Sequence, residues 1–401
     1  MKARFVLLLI LMTISLFFVV SVVFFEPATA VLWTDQPEFA LYVEWFNASQ
    51  NNHKVEFHYV ENTAQRLSTV SGMDGETPDL VIGNWLKSAS TRTLFKPLDA
   101  FFEKEKVSRA AFYPRLLSLG TIDERQYRLP VSFNIPALVF ARANARLLAS
   151  PFTVEFEEIQ TLGKAYNIVQ NSIYSRMGFS PIWNDEFLYI TASLYNTSFR
   201  EAAVVEARGK NEQPAPAIPS ETVETVAWNP DALEKTLDAL RAWTQEANTD
   251  IQAEDDFVFK YFYEPAAKLA IAGRILFTCM NSTELFTLVQ EQRSNLDFRW
   301  IAENNTIPLS EDTVYYGVYK SGKAQKAADA FTAWFFQIET QRQLMEISRD
   351  QRVNETRFGI SNGFSAMRTV TEQIFPQFYP SLLGHMPPSA FLAPPNILPQ
   401  N

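Results

Sequence analysis

Three tryptophans in this chain stand beside short polar side chains: Trp33 with Asp35, Trp85 with Asn84, and Trp183 with Asn184 and Asp185. A tryptophan ring offers a broad apolar face, and a neighbouring amide or carboxylate offers donors and acceptors of fixed geometry. Such pairs suit a ligand with apolar C–H faces and hydroxyl-bearing edges, which is the chemistry of a sugar. Recognition of that kind needs no bond making. The sequence carries no P-loop, no Gly-x-Gly-x-x-Gly and no Gly-x-Ser-x-Gly. The adjacent acids Asp185–Glu186 and Asp255–Asp256 read as solvated pairs rather than as acid/base machinery. Cys279 is the sole cysteine, so no intrachain disulfide forms, and three histidines with one cysteine make no His/Cys metal cluster. No cofactor is expected.

Most of the 33 phenylalanines must be core. Trp243 and Trp334 fall on the apolar faces of expected helices and read as packing residues. His58 reads as a surface or lobe-packing residue.

These side chains need elements to place them. With 401 residues the chain is too long for one ordinary core and suits two lobes of about 150 to 200 residues each. It carries 35 basic and 45 acidic residues, a net charge of −10, with no basic stripe. Nucleic acid is therefore excluded as a partner. Lys2 and Arg4 precede a run from Phe5 to Phe25 without charge, followed by Ala28-x-Ala30. These are the parts of a secretory signal peptide. The run is also long enough to cross a bilayer, so residues 1–30 form either a cleaved leader or an N-terminal membrane anchor. Cleavage after Ala30 is the expectation, and the rest of the chain is exported.

Val31 to Trp33 is a short apolar run suited to a buried strand. Pro37 then opens a helix with Phe39, Tyr42, Val43 and Phe46 on one face. Val55, Phe57 and Tyr59 alternate with polar residues, as in a half-buried strand. Pro78 leads into the buried run Asp79 to Ile82. Alternation of strands and helices predicts an α/β lobe with a largely parallel sheet. Farther on, Phe156, Ile159, Leu162, Tyr166 and Val169 recur at helical spacing, and Asn229-Pro230-Asp231 starts another helix. Residues 281 to 284 carry cap-forming side chains. Residues 209–220 read as an exposed proline-bearing loop, and 387–401 as a proline-rich tail that lacks regular structure or wraps a lobe as a strap.

The segment from Val31 to Phe140, with Pro78-Asp-Leu-Val-Ile-Gly-Asn-Trp85 and Tyr127-Arg-Leu-Pro-Val-Ser-Phe-Asn134, resembles the opening of the extracellular solute-binding proteins of ABC importers, in the maltose and multiple-sugar branch. The later strand, the turn Lys320-Ser-Gly-Lys323 and the run Ala328-x-Ala-Phe-x-x-Trp-Phe335 resemble that family's return segment. The resemblance implies an α/β, two-lobed periplasmic-binding-protein-like fold with hinge strands between the lobes and a ligand cleft. It implies lobe 1 over 31–133 plus 318–355 and lobe 2 over 134–317 plus 356–386, with crossings near Ser132–Asn134 and Tyr315–Tyr319. It implies a periplasmic, non-enzymatic monomer that captures a sugar and delivers it to ABC permease subunits in the inner membrane. The cleft positions of the family fall here on Asp35, Gln36, Asn84, Trp85, Phe133, Asn134, Trp183, Asn184, Asp185, Asn281, Ser282, Tyr315 and Tyr316. The family often has Gly-Trp where Asn281–Ser282 stand and Gly-Gly where Tyr315–Tyr316 stand, which bears on the sugar's identity. Two other readings stay open: a membrane-tethered hydrolase on an α/β scaffold, and a solute-sensing or scaffold protein derived from a binding protein.

Overall fold

The structure is a computed structural model that describes residues 29–70, 77–88, 90–103, 107–202, 225–393 and 397–398. The expectations for the leader's residues 1–28 and for the 209–220 loop lie outside the described residues.

Ten strands form the two main sheets. In chain order they are β1 (Thr29–Thr34), β2 (Lys54–Tyr59), β3 (Leu80–Gly83), β4 (Arg128–Phe133) and β5 (Pro136–Ala141). Then come β6 (Thr153–Val154), β7 (Phe277–Asn281), β8 (Leu296–Ile301), β9 (Val314–Val318) and β10 (Phe364–Ser365). The first sheet has six strands in the order β10-β4-β9-β3-β1-β2, and the second has four in the order β7-β5-β8-β6. Each sheet is sheathed by helices, which gives the two-lobed α/β fold.

Strand direction decides where polar side chains gather. β1 runs parallel to β2 and β3, and β9 runs antiparallel to β3 and to β4. β10 runs antiparallel to β4. The carboxyl ends of β1, β3 and β4 therefore share one edge with the amino ends of β9 and β10. In the second sheet β7 and β8 run antiparallel to β5, and β6 runs parallel to β8. The amino end of β5 thus shares an edge with the carboxyl ends of β6, β7 and β8. The chain passes from β4 to β5 through Asn134 and Ile135 alone, so the two edges face each other. Ligands of open α/β sheets bind at such edges.

The return crossing lies at 309–313. This corrects the expected position at Tyr315–Tyr319, because Val314–Val318 is hydrogen-bonded in the first sheet on both sides, to β3 and β4. Phe364 and Ser365 also belong to that sheet, within a segment expected in the second lobe.

The helix Phe39–Ser49 buries Phe39, Tyr42, Val43 and Phe46 against the sheet, as its spacing requires. Phe39 and Tyr42 meet Phe335, and Phe46 meets Phe331 and Trp334, with ring centroids 5.2 to 6.2 Å apart. In the second lobe Trp243 is buried among Phe156, Phe179 and Phe187. The helix begun by Phe156 stops at Tyr166, and Val169 lies instead in a two-stranded hairpin, where it is exposed. An aromatic chain packs beside the hinge: Phe286 stacks on Phe358 at 4.6 Å, and Trp300 meets Phe364 at 5.9 Å. At the tail Leu392 and Ala393 pair with Ile307 and Pro308, and Arg115 donates to the Leu392 carbonyl at 3.0 Å. The tail thus straps one lobe to the other.

Candidate functional site: the cleft between the sheet edges

Along the first sheet's cleft edge, strand order sets out five polar side chains: Asn362 before β10, Asn134 after β4, Asp312 before β9, Asn84 after β3 and Asp35 after β1. At the usual strand spacing, the distance from Asn134 to Asp35 is about 14 Å along this edge.

Asn134 is the hub of the hinge. Its Nδ2 donates to Asp312 Oδ2 at 2.7 Å and to the Asn362 carbonyl at 3.1 Å. Its Oδ1 accepts from Ser282 at 2.6 Å and Thr283 at 3.0 Å. One amide therefore links both crossings to the start of the helix Ser282–Thr287 in the second lobe. It is fully used and buried, so its role is to fix the hinge.

The second shared contact is a carboxylate. Glu311, in the return crossing, lies 3.3 Å from Lys87 Nζ of the first lobe. It also accepts a hydrogen bond from the Tyr189 hydroxyl of the second lobe. The Lys87 and Glu311 side chains are only 4% and 15% exposed. Next to it, Ser310 donates to Glu186, on the first turn of the helix Asp185–Leu194. Burial raises the Glu186 carboxyl to about 7, with the Ser310 bond opposing that and the charges of Asp312 and Glu284 adding to it. Asp185 is exposed as expected of a solvated acid, but Glu186 is not. Asp35 and Asp312 are also raised by burial, each partly offset by an amide, Gln36 and Asn134 respectively.

Trp85 sits at the mouth in a left-handed conformation, φ +61°. A bulky residue held there costs on the order of 1 to 2 kcal/mol. The Lys87 ammonium lies 5.5 Å from its ring centroid, within reach of a cation–π contact. Asn84 Oδ1 and Asp312 Oδ1, one strand apart along the edge, are buried acceptors without a hydrogen-bond partner among the described residues. Native proteins satisfy nearly all such atoms, so two along one cleft edge point to partners supplied from outside the chain.

Asp35, Asn84, Trp85, Asn134 and Asp312 are thus gathered at one edge. Gln36 is used locally, donating to Asp35 Oδ1 at 2.8 Å. Trp183 is half-buried and stacks on Phe257 at 5.7 Å, so that face is already covered. Asn184 and Asn281 are helix caps, accepting from Phe187 N and Glu284 N, and Asn281 forms a full capping box. Ser282 is buried against Asn134 and Ile135 N. Three expected cleft residues are core instead. Phe133 has no exposed surface and meets Tyr113 and Phe364. Tyr315 and Tyr316 alternate across β9 into opposite apolar clusters, as the period of a strand demands. Lys87, Glu186, Tyr189, Ser310, Glu311 and Asp312 were not expected here. The cap-like Asn184-Asp185-Glu186 run was the one local signal, since it places Glu186 and Tyr189 on the first turns of a cleft helix.

No protein-family model and no curated protein matches the sequence. Solved structures do match the fold. An ABC substrate-binding protein from Listeria monocytogenes, in complex with cycloalternan, is 14% identical with a TM-score of 0.60, over 93% of this chain and 89% of that one. The cyclic alpha-maltosyl-1,6-maltose binding protein of Arthrobacter globiformis is 16% identical with a TM-score of 0.58, over 93% and 89%. The maltose-maltodextrin binding protein of Alicyclobacillus acidocaldarius is 16% identical with a TM-score of 0.51, over 92% and 90%. At these identities the likeness is one of architecture, and the chain has the two-lobed fold of these carbohydrate-binding proteins.

Proposed function

We propose that this chain is the solute-binding component of an ABC importer, taking a small carbohydrate-like solute between its lobes without converting it. The observation that carries the reading is the pair of orphaned acceptors, Asn84 Oδ1 and Asp312 Oδ1, on the cleft edge beside the Trp85 ring. Sugar hydroxyls are donors that would satisfy them, and the ring would take an apolar face. Asp35 and Glu186 extend the polar lining on either side, a protonated Glu186 acting as a donor as well. Binding across both lobes would favour a closed arrangement that a permease can read. The carbohydrates bound by the fold relatives, cycloalternan, cyclic alpha-maltosyl-1,6-maltose and maltodextrin among them, agree with this class of solute.

The leader fits the same reading. Export by residues 1–30 would deliver the protein to the periplasm, with an uncleaved anchor as the alternative. Among the described residues no helix is long and apolar enough to cross a membrane.

The test is a thermal-shift screen of the exported chain over sugars, polyols, amino acids and polyamines, followed by calorimetry on whatever stabilises it. A carbohydrate that raises the unfolding temperature, and fails to do so in Asn84→Ala, supports the reading. Stabilisation by amino acids or polyamines alone would reject the carbohydrate assignment.

A further inference from the structure

A second cavity, of about 170 Å³, lies on the second lobe away from the cleft. Arg142 follows the far end of β5 and Leu296 opens β8 at the same end.

Two guanidinium groups converge on it. Arg142 donates to the Leu296 carbonyl at 3.3 Å, and Arg293 to the Phe286 carbonyl at 2.5 Å. Neither makes an ion pair among the described residues. The one carboxylate on the wall, Asp297, is already occupied: its Oδ1 accepts from Phe298 N at 2.8 Å and lies 3.4 Å from both Arg299 Nη1 and His385 Nε2. Two anchored, unpaired guanidiniums in a chain of net charge −10 make a local positive field. Held by backbone carbonyls, they keep the remaining N–H groups free in the planar fork that matches an oxyanion. Phe286, Phe298 and Leu383 supply apolar lining, and Ser381 and His385 add polar groups. A void of roughly 150 Å³ accepts one benzene ring.

We propose that this cavity binds a small amphipathic monoanion, a ring or branched apolar body bearing one carboxylate. The body lies on Phe286 and Phe298, and the carboxylate meets Arg142 and Arg293. The site stands independently of the cleft and of the solute assigned to it.

Calorimetry on the full chain with benzoate, benzamide and inorganic phosphate as probes tests this. Benzoate is expected to bind with unit stoichiometry, and both benzamide and phosphate roughly tenfold or more weakly, for want of the charge and of the ring respectively. Arg293→Gln is expected to weaken benzoate by at least about tenfold. Leu383→Glu, on a residue 67% exposed, adds a carboxylate at the mouth without disturbing the core and should weaken it likewise. The proposal is overturned if benzoate does not bind, if benzamide or phosphate binds as well, or if benzoate binds a folded Leu383→Glu chain unchanged.

Discussion

Lys87 and Glu311 are 224 residues apart in sequence, and their charged ends are 3.3 Å apart across the joint between first lobe and hinge. Because both side chains are largely buried, removing one partner strands the other's charge. Lys87→Met is therefore expected to lower stability by about 3 kcal/mol. Urea unfolding measures it, and an unchanged midpoint would show that the pair is open to water.

Glu186 gives the protein a pH dependence of definite direction. Its carboxyl titrates at about 7 in the folded chain against 4.5 ordinarily, because burial disfavours its charge. The folded state thus holds a proton that the unfolded chain has lost between those values. Stability from this group is fully present below pH 4.5 and falls as pH rises through 7, by roughly 3 kcal/mol in all. Glu186→Gln should flatten this decline between pH 5 and 8. An equal slope in both proteins would assign the dependence elsewhere.

Asn134 serves four partners, so truncating it orphans several buried groups at once. Asn134→Ala is expected to cost about 3 kcal/mol, with Asp312 and Ser282 losing their contacts. Hydrogen exchange should then rise at 134–135 and 309–313 together. Faster exchange confined to one of these crossings would mean that the amide does not couple them.

The two tryptophans expected as ring platforms should separate by assay. Trp183 is stacked on Phe257 and touches Phe179 and Phe262. Trp183→Ala should lower stability by about 3 to 5 kcal/mol. Trp85→Ala keeps the β-carbon and the left-handed backbone, removes only the ring, and should leave stability nearly unchanged, while weakening a bound sugar by about 1 to 3 kcal/mol. Equal loss of affinity in both variants, at equal stability, would restore Trp183 as a platform.

Local patterns carried the fold far. The face of the helix Phe39–Ser49, the buried run at β3 and the two-residue passage at Asn134 are all periodicities or breaks within a few residues. The cap Asn281 was legible for the same reason, though its capping role competes with the ligand role the family resemblance implied. The hinge carboxylate was not legible. Nothing near Lys87 announces Glu311, because their proximity comes from the antiparallel return of β9. Tyr315 and Tyr316 misled in the opposite sense: the family resemblance places them in the cleft, yet a strand buried on both faces takes one into each core.

Asp79 carries a consequence for maturation. Its Oδ2 accepts from Val31 N at 2.9 Å, and its Oδ1 from Ala324 N at 2.7 Å, so one carboxylate fastens β1 to the start of the helix Gln325–Phe335. A peptidase cut after Ala30 would turn that Val31 amide into an ammonium lying directly on a buried counter-ion. The same cut would remove Thr29 and the fully buried Ala30 from their pairing with Lys54 and Val55. Proteolytic trimming would thus exchange two rungs of a sheet for one ion pair, tying the new terminus down where a freshly cut chain end would otherwise fray.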